Sequence, residues 1–294
     1  MSHSLQIFDE GAHAVLNENF SVETWSEDNQ FTEGPVWNAD GYYLYSDIPA
    51  NRIYRIDAAT KTRIVYLEPS GCTLEDRSFL SDQPGSNGLA YDWAGGLYIC
   101  QHGNGAVALY ESGKLQTLVA GPNDRPFNSP NDIVVDAGGA VFFSDPPYGL
   151  KDQQLRPDLR QGESAFYCWR DGLLMAFCKE YKFPNGLCLS PDGRTVYVCS
   201  SKPFERRLLQ YDAVTLEYKG QVAEENCDGL KCDPQGNLWL CTKEGILLLS
   251  PEGKRLALIA LGKVPANCCW GGPEKKDLFV TAREHVYCLR NLLR

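Results

Sequence analysis

Six stretches of this chain follow one plan: a polar residue, a short apolar run, a turn containing Gly or Asp, and a second apolar run. They are TEGPVWNADGYYLYSD from Thr32, SNGLAYDWAGGLYICQ from Ser86 and SPNDIVVDAGGAVFFSD from Ser129, then PNGLCLSPDGRTVYVCS from Pro184, CDGLKCDPQGNLWLCT from Cys227 and ANCCWGGPEKKDLFVTA from Ala266. The last copy is the most degenerate. The apolar runs are short and rich in Val, Tyr, Leu, Phe and Cys, which suits half-buried or fully buried strands. The turns NADG, DWAGG, DAGG, SPDG and DPQG supply the positive φ that tight hairpins need. Further strand signals, such as RIYRID, ALYES, LLQYD and ILLLSPEG, follow most pairs. Long capped amphipathic helices are lacking, which excludes alternating βαβ units.

Regularly spaced strands with turn signals mean a sandwich, a barrel or a propeller. A period of about 50 residues selects the propeller, because one four-stranded blade uses about that much chain. The fold expected is therefore all-β: one six-bladed β-propeller domain over residues 1–294. The first copy begins only at Thr32, so upstream sequence such as HAVLNENF is available as a closing strand on the last blade. Such closure hides sheet edges that otherwise invite aggregation.

If each first run is the innermost strand of its blade, the polar residue before it lies at one mouth of the central channel. Those anchors are Glu33, Asn87, Asn131, Asn185, Asp228 and Asn267. Any one could serve only as a turn residue, but six independent turns have no reason to favour amides and carboxylates over Ser, Gly or Lys. Two carboxylates and several amide carbonyls facing one point form a hard oxygen cage, in which the carboxylates repel without a cation. Ca²⁺ suits this donor set best, with oxygen ligands at roughly 2.3–2.6 Å; Mg²⁺, Mn²⁺ and Zn²⁺ also accept oxygen donors.

Composition bounds the partners. Lys and Arg number 28 against 38 Asp and Glu, a net charge of −10. That argues against nucleic acid, whose phosphates need a basic footprint, and against an anionic membrane surface. No apolar run approaches the roughly 18 residues of a membrane helix, and MSHSLQIFDEGAH has neither the basic nor the apolar region of a signal peptide. Twelve cysteines are present without a CxxC pair, and Cys100, Cys188, Cys199 and Cys241 fall inside strand patterns. This predicts reduced, mostly buried thiols and a cytoplasmic location. GNGAVA at 103–108 imitates a dinucleotide fingerprint, but no helix follows it.

The motifs TEGPVW, SDIPANRIYRID, QHGNG, FNSPNDIVV, SDPPYGL, FPNGLCLSPDG, CDGLKCDPQGNLW and CWGGPEKKDLFVT together resemble the gluconolactonase branch of the senescence-marker-protein (regucalcin)/gluconolactonase family, from about Thr32 to Thr281. The resemblance implies one divalent metal in the channel, with Glu33, Asn185 and Asp228 as ligands and Asn131 as ligand or near-ligand. It also implies hydrolysis of a small-molecule sugar lactone to the aldonate, with Asp228 doubling as general base. Asn87, His102, Asn131 and Tyr148 are the candidate substrate-binding residues. His102 is the one histidine inside a repeat, and DPPYG builds a proline-stiffened loop around Tyr148. Ser129 stands where some members carry a substrate-holding arginine. The segment from Cys72 to Gly88 is longer than the usual connection and leads into Asn87; a lid and a plain surface loop both fit it. Two other functions share the same residues: a metal-dependent esterase or phosphotriesterase of the diisopropyl fluorophosphatase type, and a non-enzymatic calcium-binding propeller.

Overall fold

In the computed structural model, which describes residues 3–122 and 125–294, six antiparallel sheets are arranged as the blades of a propeller. Their innermost strands are Thr32–Asn38, Ser86–Tyr91, Ile133–Val135, Pro184–Leu189, Leu230–Cys232 and Asn267–Gly271. Each packs against the innermost strand of the next blade, and the sixth returns to the first. The expected six-bladed propeller is thus the fold.

The ring closes through the N-terminal segment, one step later than HAVLNENF. The outer strand of blade six is Ser21–Ser26, paired with His285–Arg290. The earlier residues instead form a single helical turn, Ala12–Val15, and a Leu16–Leu293 bridge. Ser4–Ile7 adds a fifth strand to the outside of blade five, which the repeats do not announce because it belongs to no copy.

Alternation along each strand explains the continuous apolar runs. Successive side chains point to opposite faces, and each blade is sandwiched between two others, so both faces are covered. In Tyr42–Asp47, Tyr43 and Tyr45 enter the core shared with blade six, while Tyr42 and Leu44 enter the core shared with blade two. The same rule places the adjacent Cys268 and Cys269 in two different cores. All twelve thiols are free, and eleven are buried.

Two local devices aim the anchors. The pairing register slips immediately after Glu33 in blade one and at Asn87 and Asn185 themselves in blades two and four. Bulges of this kind turn a side chain away from the sheet face. In blades three and five, pairing starts only at Ile133 and Leu230, beyond Asn131 and Asp228. Blade six has neither device: Asn267 pairs regularly with Thr281. The second device is the glycine that follows four of the six anchors. A Cβ on Gly34, whose φ is +54°, would lie 1.9 Å from the Asn87 carbonyl oxygen, and one on Gly229 would lie 2.2 Å from Oδ1 of Asn267. Only glycine lets neighbouring anchors approach this closely.

Buried carboxylates pin the approach to the anchors. Asp145 accepts from the backbone N–H groups of Asn128 and Ser129 and from the Asn128 amide. Ser129 Oγ donates to the Pro146 carbonyl and accepts from the Gly149 N–H. The SPND and DPPYG motifs are therefore tied to each other, and Ser129 is consumed by that tie. Asp47 plays the same part for Gln30 and Phe31, and Glu205 for Lys182 and Phe183.

Phe279 is the aromatic keystone between blades six and one, with ring centroids 4.9, 5.3 and 4.8 Å from Trp25, Trp37 and Tyr43. Phe279→Ala should cost about 3–5 kcal/mol and lower the urea midpoint and melting temperature. Trp93→Ala, at a side chain 85% exposed, should leave both unchanged.

Candidate active site at the channel mouth

Five of the six anchors line a single cavity of about 450 Å³ at one mouth of the channel: Glu33, Asn87, Asn131, Asn185 and Asp228. All but Asp228 are fully buried, and Asp228 is half-buried. The sixth, Asn267, does not reach the cavity. Its Oδ1 accepts from the Cys268 N–H and its side chain is hydrogen-bonded to Glu33. Lacking the bulge, it supports a ring member instead of joining the ring.

Each member is oriented by a specific contact. Asn185 Nδ2 donates to Oδ1 of Asp228 at 2.6 Å, which leaves the Asn185 carbonyl oxygen and Oδ2 of Asp228 for other partners. Glu33 Oε2 accepts from the Gly34 N–H at 2.9 Å. Asn87 is set by a relay: His102 Nδ1–H donates to the Gln83 carbonyl at 3.1 Å. The other ring nitrogen, Nε2, is then the acceptor for Asn87 Nδ2 at 3.2 Å. With its NH₂ group thus engaged, Asn87 is left with Oδ1 buried and without a hydrogen-bond partner.

His102 is therefore not where its place in QHGNG suggested. It is fully buried and stands behind Asn87, so it touches the cavity only through that amide. Tyr148 does line the cavity. Its hydroxyl shares a 2.7 Å hydrogen bond with Ser201 Oγ and contacts Asn185, while its ring stacks on Phe183 at 5.8 Å. The long segment before Asn87 takes part as well: Ser81, Asp82 and Gln83 form cavity wall, held by the Leu80–Leu150 bridge and a Ser81 N–H to Gly149 carbonyl bond.

Burial dominates the electrostatics of the acidic anchors. Burial raises the Glu33 pKa well above the ordinary carboxylate range, and the charges of Asp228 and Asp132 raise it further. Burial pushes Asp228 up to about 6, against the Asn185 hydrogen bond and the positive charge of Arg283. A third carboxylate, Asp132, lies among the inner strands, where it accepts from the Ile133 and Leu187 N–H groups. It has its own counter-ion: Lys231 Nζ is 3.6 Å away. Burial opposes the charge on Lys231, but Asp132 together with the neighbouring cysteines Cys268, Cys188 and Cys269 outweighs it, and the lysine's pKa is raised. Among the described residues, neither Glu33 nor Asp228 has such an ion-pair partner, although the more distant charges of Arg283 and Lys202 act on Asp228. Among the described residues, no three His, Cys, Asp or Glu side chains come together as a metal-binding group. A cation here would depend on the amide oxygens, and the orphaned Oδ1 of Asn87 beside two mutually destabilised carboxylates fits one.

The anchors were found through the repeat; Asp132, Lys231, Lys202 and Arg283 were not. A signal for the last two exists in the topology. The second strand of each blade runs back towards the anchors, so the residue that follows it returns to the same mouth. Lys202 and Arg283 lie just beyond Thr195–Ser200 and Asp277–Ala282, and both line the cavity.

Comparisons with known proteins agree with the fold. The model of the SMP-30/Gluconolactonase/LRE-like region matches residues 31–284. A gluconolactonase of Zymomonas mobilis is 32% identical, over 94% of this chain and 83% of that protein. A regucalcin of Xenopus laevis is 29% identical, over 87% of this chain and 84% of that protein. Among solved structures, a gluconolactonase of Xanthomonas campestris superposes with a TM-score of 0.82 at 23% identity, over 99% of this chain and 95% of that one.

The relay predicts a pH signature. Burial pushes His102 down to about 4, against the pull of the Gln83 carbonyl. The unfolded chain binds this proton first as pH falls, so the neutral buried imidazole contributes stability above about pH 6.5 that is lost as pH drops towards 4. His102→Gln should lose less melting temperature than wild type between pH 7.5 and 4.5. An equal loss in both proteins would remove His102 as the group responsible.

Proposed function

This chain belongs to the SMP-30/gluconolactonase/LRE-like family, and from that premise we propose that it hydrolyses a sugar lactone to the aldonic acid with one divalent cation at the channel mouth. The observation that carries the proposal is the unpartnered Oδ1 of Asn87 in one cavity with Glu33, Asn131, Asn185 and Asp228. Those five oxygen-bearing residues would hold the cation, with Glu33 and Asp228 supplying the charge. Ca²⁺ suits the donors best, and Mg²⁺, Mn²⁺ and Zn²⁺ are the alternatives. When bound, the cation supplies Lewis-acid polarisation of the lactone carbonyl.

The rest of the chemistry belongs to the chain. Asp228 takes the proton of the attacking water on Oδ2, since Oδ1 is occupied by Asn185. Burial raises the pKa of this carboxylate, which makes it a stronger base than a free aspartate, and a bound cation would keep it ionised at neutral pH. The Asn131 amide, which has no side-chain partner in the ring among the described residues, donates to the oxyanion that develops on the carbonyl oxygen. Tyr148 holds Asn185 and walls the cavity. A lactone is an activated ester, so neither a serine nucleophile nor a histidine triad is needed. Twelve free thiols favour a reducing compartment, the cytoplasm.

Acid release from glucono-1,5-lactone, corrected for spontaneous opening, is the test. Chelator should abolish turnover and added Ca²⁺ restore it. Asp228→Asn should keep the fold and lower kcat by about 10³-fold, within the span of general-base losses. Asn87→Ala should raise the Ca²⁺ concentration needed for half-maximal activity by about tenfold, the worth of one lost polar contact. Full activity in the chelated protein, or wild-type rates in folded Asp228→Asn, would refute the mechanism.

A further inference from the structure

Three cations converge beside the proposed reaction centre. The turn after the second strand of each blade returns to the anchor mouth, and in blades four, five and six that turn carries Lys202, Lys243 and Arg283. The corresponding turns of blades one to three carry Ile48, the buried His102 and Pro146. The positive charge therefore occupies one sector of the rim. A side chamber of about 170 Å³ opens there, lined by all three cations and by Asp228. It shares Ser201, Lys202, Asp228 and Arg283 with the main cavity, so one ligand can occupy both.

None of the three is paired with a carboxylate among the described residues, in a chain whose net charge is −10. Lys202 Nζ donates to Oε1 of Gln153 at 2.9 Å and lies 4.4 Å from the centroid of Phe183. The Arg283 guanidinium lies over Phe31 at 5.0 Å. Of the nearby acids, Glu284 is ion-paired with Lys263 and Glu205 is held by Ser200 and two backbone N–H groups; Asp228, on the chamber wall, is hydrogen-bonded by Asn185 and acts on Lys202 and Arg283 at longer range. The Asp82 and Asp152 side chains belong to the wall of the main cavity and do not line the side chamber. Three cations around the single carboxylate of Asp228 keep an excess of positive charge, which repels itself and costs stability, and an anion from outside relieves that cost.

We propose that Lys202, Lys243 and Arg283 form an anion subsite, and that the substrate is a sugar lactone carrying a second acidic group, a phosphate or a carboxylate, away from the scissile ester. This deepens the lactonase reading and rests on it for the reaction, though not for binding. The cations select the substrate by its charge while the ring at the axis handles its carbonyl.

Two measurements separate the subsite from the reaction. In the first, kcat/KM is compared for glucono-1,5-lactone, 6-phosphoglucono-1,5-lactone and glucaro-1,4-lactone, with Ca²⁺ present. At least one acidic lactone should exceed the neutral one tenfold or more, and which one gains identifies the group as phosphate or carboxylate. That advantage should shrink at 0.5 M salt and fall at least tenfold in Lys243→Glu, a change in an exposed hairpin turn. A neutral lactone preferred by wild type, or an advantage unaltered in Lys243→Glu, overturns the subsite and leaves lactone hydrolysis standing. In the second, titration calorimetry compares 6-phosphogluconate, glucarate and gluconate. Tenfold tighter binding of a diacid or phosphate, lost in Lys243→Glu, upholds the subsite even if no lactone is opened. Equal binding of all three overturns it.

Discussion

Six inner strands meeting around one axis leave almost no room beside the residues that face it. This crowding explains the phrase that recurs in the sequence better than any preference for turns. A polar anchor followed by glycine is the cheapest way to bring successive blades together: the anchor presents its side chain to the channel, and the glycine makes space for the next anchor's backbone. Gly34 against Asn87 and Gly229 against Asn267 show how little tolerance there is. Where the glycine is missing, the axis pays in another form. Blade three has Asp132 in that position, and the chain neutralises it with Lys231 from blade five.

The same crowding concentrates polar groups in a place with little water. Amides tolerate this because each can be satisfied by one neighbour and still present an oxygen. Carboxylates tolerate it poorly, which is why burial raises both Glu33 and Asp228. A fully acidic ring would repel itself too strongly to close, and a fully neutral one would hold a divalent ion weakly. Two carboxylates among amides is the compromise, and it is also the composition that leaves a bound cation's field available to a substrate.

What the sequence conveyed well is what the repeat constrains. Blade count, inner strands and anchors all sit at fixed places in each copy, so six imperfect copies outvote the noise in any one. The propeller followed from that. What the sequence conveyed poorly is what depends on a single contact. Asn267 matches the pattern but pairs regularly, and no residue type signals a missing bulge. His102 matches a pocket motif but turns its ring behind Asn87, a matter of one carbonyl at Gln83. Ser21–Ser26 closes the ring in place of the more apolar residues before it, because register with His285–Arg290 decides closure. Lys202, Lys243 and Arg283 lie in turns that carry no shared motif, and only the antiparallel course of the strands places them at the mouth.

The mouth therefore has two electrostatic regions with different owners. The axis is negative and belongs to the repeat, since its charges come from anchors that every blade must supply in some form. The rim is positive in one sector and belongs to turns that lie outside the repeat pattern, so the closure of the ring does not fix their identity. A ring that must close leaves little freedom for its chemistry; a rim that need not close can change its preferences without disturbing the fold. On this division, reaction type is tied to the residues that hold the propeller together, and substrate choice to the residues that do not. If the proposed anion subsite holds, the cations of blades four to six are the part of the mouth where that freedom has been used.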